Sequence, residues 1–120
     1  GWGEDPKLLK LTSLDETPSP YLSGLMEKFF NHKEALSPFI ETNRGCPYQC
    51  TFCHTALGYY NKLQYSGVER VKAEITLFAE RLKDSPNLPL YLADNNFGMF
   101  ERDAEITEFI GQMQTKHFCQ

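Results

Sequence analysis

Three cysteines fall within eight residues of the run RGCPYQCTFCH: Cys46, Cys50 and Cys53, separated by three residues and then by two. Thiolates are soft ligands that suit zinc and iron–sulfur clusters, so the spacing raises a question of metal chemistry. Zinc needs a fourth donor, and His54 is the nearest one. That set fits poorly, because structural zinc sites are usually assembled from two short ligand pairs on separate segments, while here all the donors lie within nine residues. A bacterial ferredoxin run arranges its gaps otherwise and brings a fourth Cys and a Pro. Three thiolates on a cluster of four irons leave one iron without a protein ligand, and an open iron is where a substrate or cosubstrate can coordinate. The alternative of another class is a zinc-stabilised structural or interaction module without catalysis.

Such a loop needs elements to hold it. After Pro38 the residues FIETNRG have β-forming character and end on Gly45, which predicts a strand entering the cysteine loop. In SGVERVKAEITLFAERLKD, Ser66 and Glu69 read as a capping box, and Val68, Val71, Ile75, Phe78 and Leu82 form one apolar stripe at helical spacing. Pro86 and Pro89 end that helix, LYLA reads as a short buried strand, and DNNFGMF follows as a polar, glycine-bearing loop. A second helix is expected from about residue 101 to residue 116, with Ile106, Phe109, Ile110 and Met113 on one face. The order strand, loop, helix, strand, loop, helix favours parallel βαβ units, because parallel strands need a crossover and a helix is the usual one. In such units the loops leaving the C-terminal strand ends gather at one edge, where ligands bind.

The 120 residues make room for one domain, and 41% hydrophobic with 13% aromatic content is globular in character. A formal charge of -4 from 12 basic and 16 acidic residues offers no basic stripe for nucleic acid and no polybasic run for a membrane surface. No apolar stretch approaches the roughly 20 residues of a membrane span, and the start GWGEDPKLLK lacks signal-peptide character, so a reducing cytoplasm is the expected compartment. Clustered cysteines in that setting hold metal more often than disulfides, and the distant Cys119 reads as an inert thiol. Residues 1 to 20 carry Pro6, Pro18 and Pro20 among polar residues and suit an extended connector, after which YLSGLMEKFF suggests a short amphipathic helix. The chain begins on Gly1 without a methionine and is expected to be a piece of something longer.

The segment Cys46-Pro47-Tyr48-Gln49-Cys50-Thr51-Phe52-Cys53 resembles the CxxxCxxC signature of the radical SAM superfamily, including the aromatic residue before the last cysteine. The run from SLDETPSPY through ETNRGCPYQCTFC to ADNNFGMFERD further resembles the members that carry an N-terminal cobalamin-binding domain. This resemblance implies a [4Fe-4S] cluster held by Cys46, Cys50 and Cys53, with S-adenosyl-L-methionine on the open iron and cleaved reductively to a 5′-deoxyadenosyl radical. It implies that Phe52 lies near the adenine. It also implies that Asp94, Asn95 and Asn96 stand where many members bear a Gly-Gly-Glu segment that binds the methionine amino group. This chain departs from that segment but keeps oxygen acceptors there. His54 is then a residue of the cluster loop and no ligand.

The fold implied is α/β, the strand–helix–strand–helix N-terminal portion of a partial (β/α) TIM-like barrel, preceded by an extended linker. Residues 1–35 would be an interdomain linker with a short helix, and residues 36–120 the truncated start of the radical SAM core domain. No catalytic side chain is assigned, and the fragment alone is expected to be inactive. For the intact protein the resemblance implies cobalamin bound by a domain absent from this chain. It implies methyl transfer or another radical transformation of a small-molecule or natural-product substrate, and a one-electron donor such as flavodoxin or ferredoxin.

Overall fold

The computed structural model describes residues 11–32, 36–56, 62–85 and 87–118. Among these, two short strands pair in parallel: β1, Phe39–Ile40, and a strand at Tyr91–Leu92, with Phe39 opposite Tyr91 and Ile40 opposite Leu92. Asn43–Arg44 (β2) and Gln64–Tyr65 (β3) form a separate antiparallel pair, which makes Tyr91–Leu92 the fourth strand, β4. The stretch 39 to 44 is therefore two strands in two sheets, where one strand was expected. The physical reason is a corner at Glu41 and Thr42, after which the chain pairs with β3 instead of continuing along β4.

The helices are α1, Glu27–Phe30, α2, Val68–Arg81, and α3, Glu101–Phe118. The stripe of α2 is buried as its spacing predicts at Val71, Ile75, Phe78 and Leu82, and Val68 packs at its margin. Ile106 and Met113 of α3 complete a core with Ile40 beneath the parallel pair. Tyr21 and Phe30 extend it, with the Tyr21 ring edge-on to Phe78 at 4.7 Å. The short helix is less amphipathic in fact than in prediction, since Leu22, Leu25 and Phe29 stay exposed.

Two expectations are corrected. Ser66 and Glu69 do not form a capping box: the N-cap of α2 is Gly67, without a side-chain cap bond. The Ser66 hydroxyl donates instead to the Glu41 carbonyl at 3.3 Å, and Glu69 reaches Lys72. The capping box of this chain lies earlier, at Ser13 and Glu16 around the 3-10 turn Leu14–Glu16. Of the extended connector expected over residues 1 to 20, residues 1–10 lie outside the described residues, and the stretch 11 to 20 is docked on the rest of the chain rather than extended. Leu14 is buried, the Ser13 hydroxyl donates to the Tyr65 carbonyl at 3.1 Å, and the Tyr21 hydroxyl donates to the Phe39 carbonyl at 2.8 Å while accepting the Phe39 N–H at 3.3 Å.

That last pair of bonds has a topological effect. The Pro38 and Ile40 carbonyls accept from the Tyr91 and Ala93 N–H groups, so Phe39 turns its backbone groups to the opposite edge of β1, and Tyr21 occupies that edge. No helix among the described residues is long and apolar enough to cross a membrane.

Candidate functional site

Only the Asp94–Asn96 loop directly follows a strand of the parallel pair; the cysteine loop, expected to leave the first strand of that pair, starts instead after β2 in the antiparallel pair. β1 passes through Thr42 and β2 into the cysteine loop, and β4 passes directly into Asp94, Asn95 and Asn96. Asp94 joins them. Its carboxylate accepts the backbone N–H of Thr42 at 2.7 Å and of Asn43 at 3.2 Å, the Asn43 side-chain amide at 2.9 Å, and the Thr42 hydroxyl. Thr42 and Asn43 are fully buried around it. Neither was singled out from the sequence, because a threonine and an asparagine at a strand end carry no signal until their partner, some fifty residues away, is known.

Asn96 behaves differently from its neighbours. Asn95 is exposed, Asp94 is saturated, and Asn96 is buried with neither its side-chain oxygen nor its nitrogen hydrogen-bonded. Asn43 Oδ1 and Asp103 Oδ1 are likewise buried without partners, so polar capacity is left over along this edge. The other oxygen of Asp103 accepts the N–H groups of Gly98 at 3.0 Å and Phe100 at 3.1 Å, capping the start of α3. Gly98, at φ 92, turns the loop into that helix.

Gly45 leaves β2 at φ 100, a conformation that favours glycine, and delivers the chain to Cys46. The Cys53 N–H donates to the Cys50 carbonyl at 3.0 Å, which folds Cys50 to Cys53 into a tight turn. Cys53 Sγ lies 3.0 Å from the Thr55 hydroxyl. Of the three cysteines, Cys50 is exposed and Cys46 and Cys53 are half-buried. No group of three His, Cys, Asp or Glu side chains among the described residues is gathered closely enough to hold a metal ion. The donors thus fit a cluster in number, softness and placement on one loop, while their convergence is not preformed. His54 is exposed at the start of the 3-10 turn His54–Ala56, and Phe52 is 90% exposed. Cys119 lies outside the described residues.

Arg102 carries no local signal in the sequence. From the first turn of α3 its guanidinium donates to the Thr42 carbonyl at 3.1 Å and to the Ser66 carbonyl at 2.6 Å, and it stacks on the Tyr65 ring at 4.9 Å. It thereby ties α3 to the antiparallel pair and to the corner that precedes it.

No protein-family model matches the chain. Over 111 residues it is 37% identical to the cobalamin-dependent radical SAM methyltransferase TokK of Streptomyces tokunonensis, a match that covers 89% of this chain and 16% of that protein. Over 95 residues it is 39% identical to the 2-(S-pantetheinyl)-carbapenam-3-carboxylate methyltransferase of Streptantibioticus cattleyicolor, covering 76% of this chain and 13% of that protein. An uncharacterized methyltransferase, PH0819, of Pyrococcus horikoshii is 35% identical over 77 residues, covering 62% of this chain and 16% of that protein. The chain thus spans only 13 to 16% of the length of these curated relatives. It is, over most of its own length, a homologue of a segment of the cobalamin-associated radical SAM proteins.

Proposed function

We infer that Cys46, Cys50 and Cys53 hold a [4Fe-4S] cluster and that the intact protein is a radical SAM methyltransferase of the cobalamin-associated kind. One observation carries this reading: the chain beyond β1, which leads through β2 into the three-thiol loop, and the Asp94–Asn96 loop beyond β4 follow the same end of one parallel pair and are cross-linked by the Asp94 carboxylate, whose partner Asn43 stands three residues before Cys46. When bound, the cluster supplies the electron that cleaves S-adenosylmethionine to methionine and a 5′-deoxyadenosyl radical.

This chain's own residues bind and orient. Asp94 is an anchor, its acceptor capacity already engaged by Thr42 and Asn43. Asn96 is the member of the segment with unused capacity: its Oδ1 can accept from the methionine ammonium and its Nδ2 can donate to the carboxylate. Asn95, exposed beside it, is a second contact. The uncovered ring of Phe52 offers an apolar surface against the adenine.

Residues 36–120 are in this reading the first two βα units of a partial (β/α) barrel, and residues 1–35 the linker from a cobalamin-binding domain. The Tyr21 contact supports that arrangement, because it blocks the β1 edge and leaves β4 as the side on which further strands add. The substrate would be a small molecule or natural product, the electron donor a flavodoxin or ferredoxin, and the compartment the cytoplasm.

The test is anaerobic reconstitution of the intact protein, with about four irons expected per chain and none retained as a chromophore after Cys46→Ala, Cys50→Ala or Cys53→Ala. Cys119→Ala should leave the iron content unchanged. Asn96→Ala should retain iron and weaken S-adenosylmethionine binding by about 1–3 kcal/mol, read from the electron paramagnetic resonance titration of the reduced cluster. Stoichiometric zinc with no incorporation of iron would replace this reading with the zinc-stabilised module.

A further inference from the structure

The cysteine loop runs from Gly45 to Leu63 and is closed at its neck by the pairing of β2 with β3. Two sets of hydrogen bonds hold that neck. In the first, the strap of residues 11 to 17 lies along β3. Ser13 bonds the Tyr65 carbonyl, the Gln64 side-chain amide donates to the Leu11 carbonyl, and Asp15 accepts the Gly67 N–H through both oxygens at 3.0 and 2.9 Å. Arg70 secures the strap itself, donating to the carbonyls of Leu14 at 2.8 Å and Thr17 at 2.7 Å. In the second, Arg102 holds the carbonyls of Thr42 and Ser66, which are joined to each other by the Ser66 N–H on the Thr42 carbonyl at 2.9 Å.

We propose that the strap and Arg102 form a clamp on the neck of the cysteine loop, with Asp15 and Gly67 as the positioning pair through which the strap sets the placement of Cys46 and Cys53. The proposal rests on the cluster reading for its purpose but not for its geometry. Asp15 completes the start of α2, where Gly67 is the N-cap and lacks any side chain of its own to cap with. A carboxylate there meets both the N–H donor and the positive end of the helix. The glycine is what admits it: a Cβ at position 67 would lie 2.7 Å from Asp15 Oδ2. The Gly67 backbone, at φ -57 and ψ 141, is one that alanine adopts without strain. Gly67→Ala therefore keeps the helix start in place and evicts a flexible carboxylate. A segment attached ahead of the strap would be joined, through this pair, to the loop that carries the thiols.

The experiment compares the intact wild-type protein with Asp15→Ala, Gly67→Ala, Asp15→Glu and, as a surface control, Glu80→Ala. In the metal-free state, alkylation of the half-buried Cys46 and Cys53 should quicken by roughly five- to tenfold in the first two variants, because the neck opens locally. Hydrogen exchange at Tyr65 and Ser66 should quicken with it, while the amides from Ile106 to Met113 keep their protection. Asp15→Glu should return toward wild type, and Glu80→Ala should match it. After iron reconstitution the two variants should retain iron but show a broadened electron paramagnetic resonance signal with S-adenosylmethionine. Wild-type alkylation rates in both Asp15→Ala and Gly67→Ala would overturn the clamp, as would loss of protection throughout α3, which would mean global destabilisation. Because alkylation is read without metal, failure of the cluster reading would show separately, as absence of iron from the wild-type protein.

Discussion

Ile106, Val71 and Phe78 are each exposed by 4% or less, whereas Phe52 on the cysteine loop is 90% exposed and Tyr48 52%. The first group lies under the parallel pair, where α2 and α3 bury apolar stripes against Ile40. The second lies beyond the strand ends, where the chain is held by hydrogen bonds to Asp94, Asp15 and Arg102. Apolar burial is non-directional and tolerates small displacements, so it builds the platform. Hydrogen bonds to a carboxylate or a guanidinium are directional and fix backbone atoms to within fractions of an ångström, so they place the loops. The division predicts that substitutions in the two regions fail in different ways.

Phe78→Ala should be the most damaging. It removes a buried ring packed edge-on against Tyr21 and should cost about 3–5 kcal/mol in the denaturation midpoint of the intact protein. If it cost less than 1 kcal/mol, the aromatic cluster would not be the platform. Asp94→Ala should come next, at about 1.5–3 kcal/mol, since Thr42 and Asn43 would lose a charged acceptor in a buried setting. Asp94→Asn keeps one acceptor oxygen and should fall between; equal loss in both would place the effect in charge alone.

Ser66→Ala sharpens the contrast, because a true N-cap loss costs about 1 kcal/mol or more, whereas the bond seen here, to the Glu41 carbonyl, predicts about 0.5–1 kcal/mol. Helix content of α2 should not change. The smallest effect concerns Glu16, whose carboxyl is held below the usual carboxylate range by the Thr12 hydroxyl, then by the backbone N–H groups of Ser13 and Thr12. A depressed carboxyl stabilises the fold at pH above its unfolded value and loses that contribution as the pH falls through its folded value. The strap should therefore loosen only in acid. A carbon-detected titration of Glu16 should show the low value, and Thr12→Val should raise it; an unchanged value in Thr12→Val would remove the hydroxyl as the cause.

The S-x-x-E pattern illustrates where local reading succeeds and where it stops. It occurs at Ser66–Glu69, where it is not a capping box, and at Ser13–Glu16, where it is. Spacing permits the reciprocal bonds in both, but Ser66 has a nearer acceptor in Glu41 and the helix start is served by Asp15 from across the molecule. A local pattern cannot weigh a competitor some fifty residues away. The same limit hid Thr42, Asn43 and Arg102.

From the sequence alone one could determine what depends on near neighbours. The apolar stripes of α2 and α3 follow from the 3.6-residue period, and the three thiols within one loop follow from their spacing. The strand after Pro89 follows from its β-forming residues between breakers, although Tyr91 is exposed and Leu92 half-buried where a buried strand was expected. Tertiary structure alone decided the rest. It split the stretch 39 to 44 between two sheets, docked the supposed connector onto β3, and separated Asp94 as an anchor from Asn96 with its unspent amide. Each of these turns on which donor meets which acceptor between segments distant in sequence. That pairing is chosen only when packing brings them together and burial makes an unmet group costly.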